Sequence, residues 1–201
     1  MPVRLLLASS HSGKLREYDQ LAQGRVLLAP LPDFHSLPQF EESAPTFAEN
    51  AAGKALHFSR FTEELVMADD SGLVVPALGG APGPVSARYA GPNATDADRV
   101  RKLLAAMAEK GMADRRARFV CVIALARRGR LVAIFSDAVE GILLETPRGQ
   151  GGFGYDPIFF YPPLGKTFAE LPREEKNRHS HRGKAFRKLL AFLEAGETAV
   201  L

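Results

Sequence analysis

Val66-Met67-Ala68-Asp69-Asp70-Ser71-Gly72-Leu73-Val74-Val75 places two adjacent carboxylates between two apolar runs. Successive side chains of a strand point to opposite faces, so the two acids cannot both face solvent if this strand is half buried. They must then be hydrogen-bonded, paired with cations or bound to a metal ion, because burying an isolated charge is costly. A turn at Asp-Ser-Gly is the simpler alternative, but it does not explain an acidic pair directly after Met67 and Ala68.

The bulk properties narrow the class of protein. A chain of 201 residues that is 46% hydrophobic can bury a full core as one domain or as two closely packed lobes. No apolar stretch reaches the length of a membrane span, and a single cysteine, Cys121, fits a reducing cytoplasm. A net charge of +3 does not by itself indicate a nucleic-acid binder. It is compatible with a small polyanionic ligand if the basic residues converge.

The N-terminal segment has the pattern of a phosphate-binding loop. The apolar run Val3–Ala8 predicts a buried strand, and Leu15–Leu21 has helical spacing. Between them lies the small-residue loop Ser9-Ser10-His11-Ser12-Gly13-Lys14. Free N–H groups and the helix dipole at such a junction attract phosphate, and Lys14 adds a positive charge. The loop lacks the full Walker pattern, so an ordinary cap and turn is the alternative interpretation.

A second helix is predicted by the capping box Thr46-Phe47-Ala48-Glu49 and extends to about Phe61. Asn50 and Lys54 lie one turn apart on one face of this helix. A solvated face is the default explanation for Lys54, and only its combination with the other charged residues favours a functional role. Glu41 and Glu42 precede the helix in irregular chain.

The rest of the chain predicts an α/β protein with a mixed sheet and packed helices. Thr95 with Asp98 starts a third helix that ends at Gly111, and Met67 and Met112 are predicted packing residues. The remaining predicted elements are a second strand at Val26–Ala29, a hairpin of Ala117–Ala126 and Leu131–Ile142, a glycine-rich loop at 149–154, a short strand at Ile158–Tyr161, a loop at Lys166–Leu171, a helical turn at Pro172–Lys176, and a basic helix from Ser180 to about Ala195.

The polar residues outside these structural roles favour phosphate chemistry. Oxygen ligands without a Cys or His pair at metal spacing favour Mg²⁺ over zinc. Lysines and an arginine that converge with Mg²⁺ favour a phosphate chain as ligand. Phe153, flanked by glycines and followed by Asp156, is suited to hold a planar base by stacking and edge hydrogen bonds. Phosphoryl or nucleotidyl transfer follows from these three features.

The order of these features resembles the Ham1-type inosine triphosphate pyrophosphatases. The resemblance covers nearly the whole chain, and five blocks in order make it specific. The blocks are Ala8-Ser9-Ser10-His11-Ser12-Gly13-Lys14-Leu15-Arg16-Glu17; Thr46-Phe47-Ala48-Glu49-Asn50-Ala51 with Lys54-Ala55; Ala68-Asp69-Asp70-Ser71-Gly72-Leu73 with Pro82-Gly83 and Ser86-Ala87-Arg88-Tyr89-Ala90-Gly91; Gly151-Gly152-Phe153-Gly154-Tyr155-Asp156-Pro157; and Lys176-Asn177 with Ser180-His181-Arg182.

The resemblance implies hydrolysis of ITP, dITP and XTP to the monophosphate and pyrophosphate, with Mg²⁺ as cofactor. Asp70 is the implied catalytic acid that activates water and contacts the metal; Glu41 is the implied second metal ligand, with Glu42 and Asp69 as alternates. The implied triphosphate ligands are Ser9, Ser10, His11, Ser12, Gly13, Lys14, Lys54, Ser71 and Lys176. The implied base pocket consists of Phe153, Gly154, Tyr155, Asp156, His181 and Arg182.

The same resemblance implies an α/β fold with a long bent mixed sheet, flanking helices and two lobes around a central cleft, as one domain over residues 1–201. It implies a cytoplasmic homodimer that binds a small nucleotide substrate, with no stable nucleic-acid complex and no membrane association. The rival enzyme class is the Maf-type pyrophosphatase, which prefers other nucleotides. The rivals outside catalysis are a nucleotide sensor, which does not need an acid beside the α-phosphate, and a nucleic-acid-binding module, whose affinity falls steeply with salt.

Two residues carry predictions of their own. Hypoxanthine and xanthine present a hydrogen-bond acceptor at O6, where adenine presents a donor. Arg182 at that edge can therefore donate to the first two bases and leaves adenine without a partner. The family usually has Asn at the position of His11 and Thr-Gly at the positions of Ser9-Ser10. Serine keeps a hydroxyl and histidine keeps a donor, and a cationic His11 is predicted to strengthen triphosphate binding at lower pH.

Overall fold

The computed structural model describes residues 2–109, 111 and 113–196. Seven strands form one open mixed sheet in the order β2-β1-β3-β4-β5-β6-β7. The strands are β1 (Arg4–Leu7), β2 (Leu27–Pro30), β3 (Leu65–Val74), β4 (Arg116–Arg127), β5 (Arg130–Leu143), β6 (Phe159–Tyr161) and β7 (Lys166–Thr167). The α-helices are α1 (Ser12–Ala22), α2 (Phe47–Phe58), α3 (Asp96–Glu109), α4 (Arg173–His179) and α5 (His181–Gly196). The predicted α/β class is confirmed.

The sheet is mixed because its two ends are connected differently. β1 pairs in parallel with β2 and with β3, and the connections between these strands contain α1 and α2. β6 pairs antiparallel with β5 and with β7. A long loop over residues 144–158 connects β5 to β6, and a short turn over residues 162–165 connects β6 to β7. The hairpin between β4 and β5 turns at Arg128 and Gly129, whose φ angles of 51° and 71° are those of a tight hairpin turn.

The described chain divides into two compact units. The first unit comprises residues 1–70, 121–137 and 181–201, apart from the positions outside the described ranges. Its core packs Leu5 and Met67 of the parallel strands against Ile123 of β4 and Phe186 of α5. The ring centroid of Tyr18 on α1 lies 5.1 Å from that of Phe186, which fastens α1 to α5.

The second unit comprises residues 71–120 and 138–180. Leu103 on the apolar side of α3 packs in a core with Phe119, Phe159 and Phe168, as the spacing of the helix predicts. The rings of Phe119 and Phe159 lie 4.5 Å apart between centroids. The aromatic side chains of this unit therefore form a contiguous core of their own.

β3 runs without a break through the acidic pair. Leu65–Val74 is one ten-residue strand, so the alternative of a turn at Asp-Ser-Gly is wrong. Gly72 keeps the strand straight where another segment approaches: a Cβ there would lie 2.3 Å from Ser86 Oγ and 2.6 Å from the Gly83 carbonyl oxygen. Ser86 Oγ accepts a hydrogen bond from Leu73 N at 2.9 Å. The Ser86 side chain thus packs directly against β3.

Other boundaries differ from the prediction in detail. α2 ends at Phe58, and a 3-10 turn over Ser59–Phe61 completes the segment predicted as helix. The predicted loop at Lys166–Leu171 begins with β7, because the turn of Pro162–Gly165 returns the chain to pair with β6. Met67 is fully buried as predicted, and Met112 lies outside the described residues. Within the described ranges, no helix combines the length and hydropathy that a bilayer crossing requires.

Candidate active site

Asp69 lies on the face of β3 that is fully buried within the first unit. Its Oδ2 lies 2.9 Å from Lys14 Nζ and 3.8 Å from Arg182 Nε, and its carbonyl oxygen accepts from Lys54 Nζ at 2.8 Å. Burial alone raises the pKa of this carboxyl, but the positive charges of Lys14, Arg182 and Lys54 outweigh burial and lower the pKa to about 2. Asp69 is therefore a permanent anion that holds cations in place.

Asp70 points to the opposite face of β3 and is 4% exposed. Its Oδ2 accepts from Asn50 Nδ2 at 3.0 Å. Burial and the nearby charge of Glu42 raise the pKa of Asp70 to about 6, against smaller opposing effects of Lys14, Asn50 and Lys54. Lys14 and Lys54 lower the pKa of both neighbours, whereas Arg182 acts on Asp69 and Glu42 on Asp70, so the two pKa shifts have opposite signs.

The predicted phosphate loop is the N-terminus of α1. His11 is the N-cap, and its Nδ1 accepts from Gly13 N at 3.1 Å and from Lys14 N at 3.4 Å. Ser9 Oγ accepts from His11 N at 3.2 Å, which folds the loop onto itself. Ser10, His11 and Ser12 are exposed, and Gly13 is buried. The segment therefore presents a helix N-terminus, three polar side chains and Lys14 on one small surface.

Lys54 reaches from α2 to both the strand and the segment before the helix. Its Nζ forms an ion pair with Glu42 Oε1 in addition to its bond to the Asp69 carbonyl. Glu41 is exposed, whereas Glu42 is half-buried and acts electrostatically on Asp70. We call Lys14, Glu42, Lys54, Asp69 and Asp70 the acid–lysine cluster.

Arg182, the second residue of α5, lies beside this cluster and is 2% exposed. Its guanidinium forms an ion pair with Glu17 of α1 in addition to its approach to Asp69. Burial opposes its charge, but Glu17 and Asp69 more than compensate and raise the pKa of Arg182. His181 is also buried, at 4% exposure. The predicted base-reading pair thus lies with the acids of the first unit.

The other predicted base residues form a separate group in the second unit. Asp156 is 2% exposed, and its Oδ2 accepts from Phe153 N at 2.8 Å and pairs with Lys176 Nζ. Lys176 Nζ also lies 4.7 Å from the centroid of the Phe153 ring. The φ of Gly152 is +70°, and a Cβ there would lie 2.0 Å from Asp156 Oδ2, so only glycine fits this turn. We call residues 149–156 the Phe153 loop.

Tyr155 and Ser71 are the remaining predicted site residues, one buried and the other half-buried. Tyr155 OH donates to the Ser86 carbonyl oxygen at 3.0 Å, and burial raises the pKa of this phenol. Tyr155 is therefore anchored in the core of its unit at 3% exposure. Ser71 is half-buried and follows Asp70 directly in β3.

Sequence reasoning gave no role to Glu17, Ser86 or Asp96. Glu17 lies three residues after Lys14 in α1 and therefore on the same face of the helix, and this spacing could have indicated a role for Glu17 in the site. Asp96 Oδ2 accepts from Gly154 N at 2.7 Å across 58 positions of sequence, which no local pattern indicates. Ser86 binds β3 across 13 positions and is likewise a tertiary contact.

The donor set is compatible with one kind of divalent cation. Among residues 2–109, 111 and 113–196, no three or more His, Cys, Asp or Glu side chains come together as a metal-holding group. Mg²⁺ in nucleotide sites commonly uses one or two carboxylates, with water and phosphate oxygens as the other ligands. Asp70 and Glu42 repel each other when both are ionised, and a bound cation would reduce this repulsion. The oxygen donors therefore fit Mg²⁺ bound together with a phosphate chain.

These features define an α/β protein whose first unit presents carboxylates and lysines suited to a metal-bound polyphosphate. The model of the Ham1 family matches residues 5–192, and the chain belongs to this family. A dITP/XTP pyrophosphatase of Gloeobacter violaceus is 53% identical over 96% of this chain and 95% of its own. A dITP/XTP pyrophosphatase of Geobacillus kaustophilus is 49% identical over 92% of this chain and 91% of its own. The structure of a HAM1 protein from Coxiella burnetii aligns with TM-score 0.87 and 44% identity, covering 96% of this chain and 99% of that one.

Proposed function

We propose that the protein hydrolyses ITP, dITP and XTP between the α- and β-phosphates, giving the monophosphate and pyrophosphate and removing these aberrant purine nucleotides from the pool. The observation that carries the proposal is the position of the two adjacent carboxylates beside two lysines: Asp69 Oδ2 lies 2.9 Å from Lys14 Nζ, and the Asp69 carbonyl oxygen accepts from Lys54 Nζ at 2.8 Å. Family membership supports it, since the relatives described above are dITP/XTP pyrophosphatases.

Lys14, Lys54 and the loop Ser9–Lys14 bind the phosphates in this proposal. Lys14 pairs with the Asp69 carboxylate, and Lys54 binds the Glu42 carboxylate and the Asp69 carbonyl oxygen. A phosphate oxygen is an acceptor of the same kind for both lysines. The exposed hydroxyls of the loop and the N-terminus of α1 add neutral donors. Ser71, and Lys176 in the second unit, are the further phosphate ligands that we propose.

Asp70 is the proposed general base and a proposed ligand of Mg²⁺. With a pKa of about 6, its carboxylate is mostly ionised at neutral pH and yet basic enough to accept a proton from water. Mg²⁺, when bound, supplies charge neutralisation for the phosphates and the pyrophosphate leaving group. The second carboxylate predicted from sequence is Glu41; the electrostatic coupling of Glu42 to Asp70 favours Glu42 for this role.

The purine is assigned to Phe153, Gly154, Tyr155 and Asp156, with His181 and Arg182. Phe153 offers a ring face, and Asp156 fixes the turn that carries it. Arg182 is a donor that suits O6 of hypoxanthine or xanthine and leaves adenine unpaired. Its ion pair with Glu17 fixes the orientation of the guanidinium.

We also propose a cytoplasmic homodimer. The free thiol of Cys121 is buried, which suits a reducing compartment. Val132 and Ile134 lie two residues apart in β5, hence on one face of the strand, and each is more than two-fifths exposed in the first unit. Neighbouring exposed apolar side chains on one strand face favour a protein interface.

The proposed activity is tested by pyrophosphate release from ITP, dITP, XTP, GTP, ATP and dUTP in the presence of Mg²⁺. We expect kcat/KM for ITP, dITP and XTP to exceed that for ATP by at least about 100-fold, because a polar mismatch at the purine edge discriminates strongly. Equal turnover of ATP and XTP contradicts the proposed base selection. A preference for dUTP points to a different class of pyrophosphatase.

A further inference from the structure

The Phe153 loop is held by two carboxylates that come from different parts of the second unit. Phe153 N donates to Asp156 Oδ2 at 2.8 Å, a bond within the loop. The next amide, Gly154 N, donates to Asp96 Oδ2 at 2.7 Å, and Asp96 is the first residue of α3. The φ of Gly154 is +63°, a left-handed conformation that glycine adopts without strain. Adjacent amides are thus anchored in two directions.

The helix does not need Asp96 as a cap. Thr95 and Asp98 cap α3: Asp98 Oδ2 accepts from Thr95 N at 2.9 Å and from Thr95 Oγ1 at 2.7 Å, and Asp98 N donates to Thr95 Oγ1 at 3.2 Å. Asp96 Oδ1 pairs instead with Arg99 in the next turn. This pair orients the carboxylate so that its second oxygen is available to Gly154.

We propose that Asp96 is a positioning residue for base recognition, which fixes the Phe153 ring through the Gly154 amide. The inference rests on the proposed function, since it takes the Phe153 loop as the receiver of the purine. A charged acceptor makes a stronger bond than a neutral one, so this contact restrains a turn that glycine otherwise leaves flexible. Losing it affects how the base is held rather than the chemistry at the phosphates.

Asp96→Ala and Asp98→Ala form a matched pair for the test. Both remove an aspartate from the first turn of α3, and the two side chains are similarly exposed, at 46% and 40%. With XTP and Mg²⁺ we expect Asp96→Ala to raise KM about tenfold with kcat changed less than about twofold, as loss of a charged hydrogen bond to a binding loop predicts. Asp98→Ala should lower the melting temperature and leave KM unchanged.

Asp96→Asn separates positioning from charge. The amide oxygen of Asn still accepts from Gly154 N, but as a neutral acceptor and without the ion pair to Arg99. We therefore expect a KM between that of the wild type and that of Asp96→Ala. Hydrogen exchange of the peptide over Phe153–Tyr155, which requires no substrate, should accelerate in Asp96→Ala and not in Asp98→Ala.

Two results overturn the inference while the proposed function stands: an unchanged KM and exchange rate in Asp96→Ala when the wild-type protein turns over XTP, or an equal KM increase in Asp98→Ala. A wild-type protein that hydrolyses none of ITP, dITP and XTP overturns the proposed function, and the role of Asp96 in base recognition with it. In that case, hydrogen exchange that is faster in Asp96→Ala but not in Asp98→Ala still identifies Asp96 as the anchor of the Phe153 loop.

Discussion

Asp69 and Asp70 show how neighbouring residues of one type acquire different chemistry. Burial raises the pKa of both, and the difference comes from the charges that each side of the strand faces. Asp69 faces Lys14 and Arg182 and stays ionised, whereas Asp70 faces Glu42 and becomes a stronger base. The alternation of a β-strand is what separates the two environments.

Replacing Asp70 tests its assigned role in catalysis. Asp70→Asn keeps the size of the side chain and an oxygen acceptor for Asn50, so we expect an intact fold. Without a base to accept the proton of water, kcat with XTP should fall at least about 100-fold. Pyrophosphate release measures the loss, and circular dichroism checks the fold. Turnover close to that of the wild type removes Asp70 from the mechanism.

The same substitution should stabilise the protein in the absence of metal. The folded-state pKa of Asp70, about 6, lies above the ordinary aspartate value of 3.8, so the unfolded chain loses this proton first as pH rises. Stability from Asp70 is therefore fully present below about pH 4 and lost by about pH 6. In EDTA at pH 8, Asp70→Asn should be more stable by on the order of 1–3 kcal/mol.

Urea unfolding at pH 4 and at pH 8 measures this difference. The gain from Asp70→Asn should be small at pH 4, where the aspartate is mostly protonated in the folded state. An equal gain at both pH values contradicts the assignment, because it indicates that ionisation of Asp70 is not the destabilising event.

His11 caps α1, and replacing it tests this cap at the residue scale. Its Nδ1 accepts two amide hydrogen bonds at the start of the helix. In His11→Ala both amides lose this acceptor, so the free energy of unfolding should fall by about 1 kcal/mol. In His11→Asn the amide oxygen caps in its place, and most of this stability should remain. Urea unfolding of the two variants measures the difference, and equal stability of the two contradicts a capping role for His11.

Stronger triphosphate binding by a cationic His11 stays a separate prediction. The pH dependence of KM in His11→Asn, compared with that of the wild type, measures it.

At the residue scale, the sequence indicated which side chains are candidates for the site but not which groups each of them contacts. The acidic pair, Lys14 and Lys54 are conspicuous in type and spacing. Their pairing follows from tertiary contacts: Lys14 meets Asp69 across 55 positions, and Arg182 meets Glu17 across 165. No local rule selects between Glu41 and Glu42, and only the fold shows that Glu42 pairs with Lys54.

At the scale of the element, β3 depends on a glycine at its tightest contact. An alanine at position 72 would place its Cβ against Ser86 Oγ and the Gly83 carbonyl, and backbone cannot yield cheaply. Gly72→Ala should therefore destabilise the protein by about 1–3 kcal/mol, as overpacking does. Urea unfolding measures the cost.

Gly196→Ala is the matched control, since a Cβ there meets nothing within 4 Å and Gly196 lies at the end of α5. Its effect on stability should be within about 0.5 kcal/mol. A Gly72→Ala protein as stable as this control contradicts the tight packing of β3 against Ser86.

Elements with strong local signals were predicted well, and those that depend on pairing were not. Thr46 caps α2, and its Oγ1 donates to Glu49 Oε2 at 2.6 Å, a variant of the predicted capping box in which the Thr46 hydroxyl is the donor. β7 has only two residues and exists because it pairs with β6. The strand through Asp69 and Asp70 was ambiguous with a turn because its polar residues mimic turn chemistry.

At the scale of the molecule, each compact unit is assembled from distant parts of the chain. The first unit draws on the start, middle and end of the sequence, and the second on the two intervening segments. Ordered sequence blocks can be recognised as a family without knowing these contacts, which explains why family membership was predictable. Side-chain pairings were not, because they depend on which segments fold together.

The central claim is hydrolysis of XTP at the bond between the α- and β-phosphates. Incubation of the wild-type protein with XTP and Mg²⁺, followed by quantification of all phosphorus products by ³¹P NMR, tests it most directly. The account predicts xanthosine monophosphate and pyrophosphate in equal amounts, with no diphosphate intermediate. Accumulation of xanthosine diphosphate and orthophosphate, or no turnover of XTP, would contradict it.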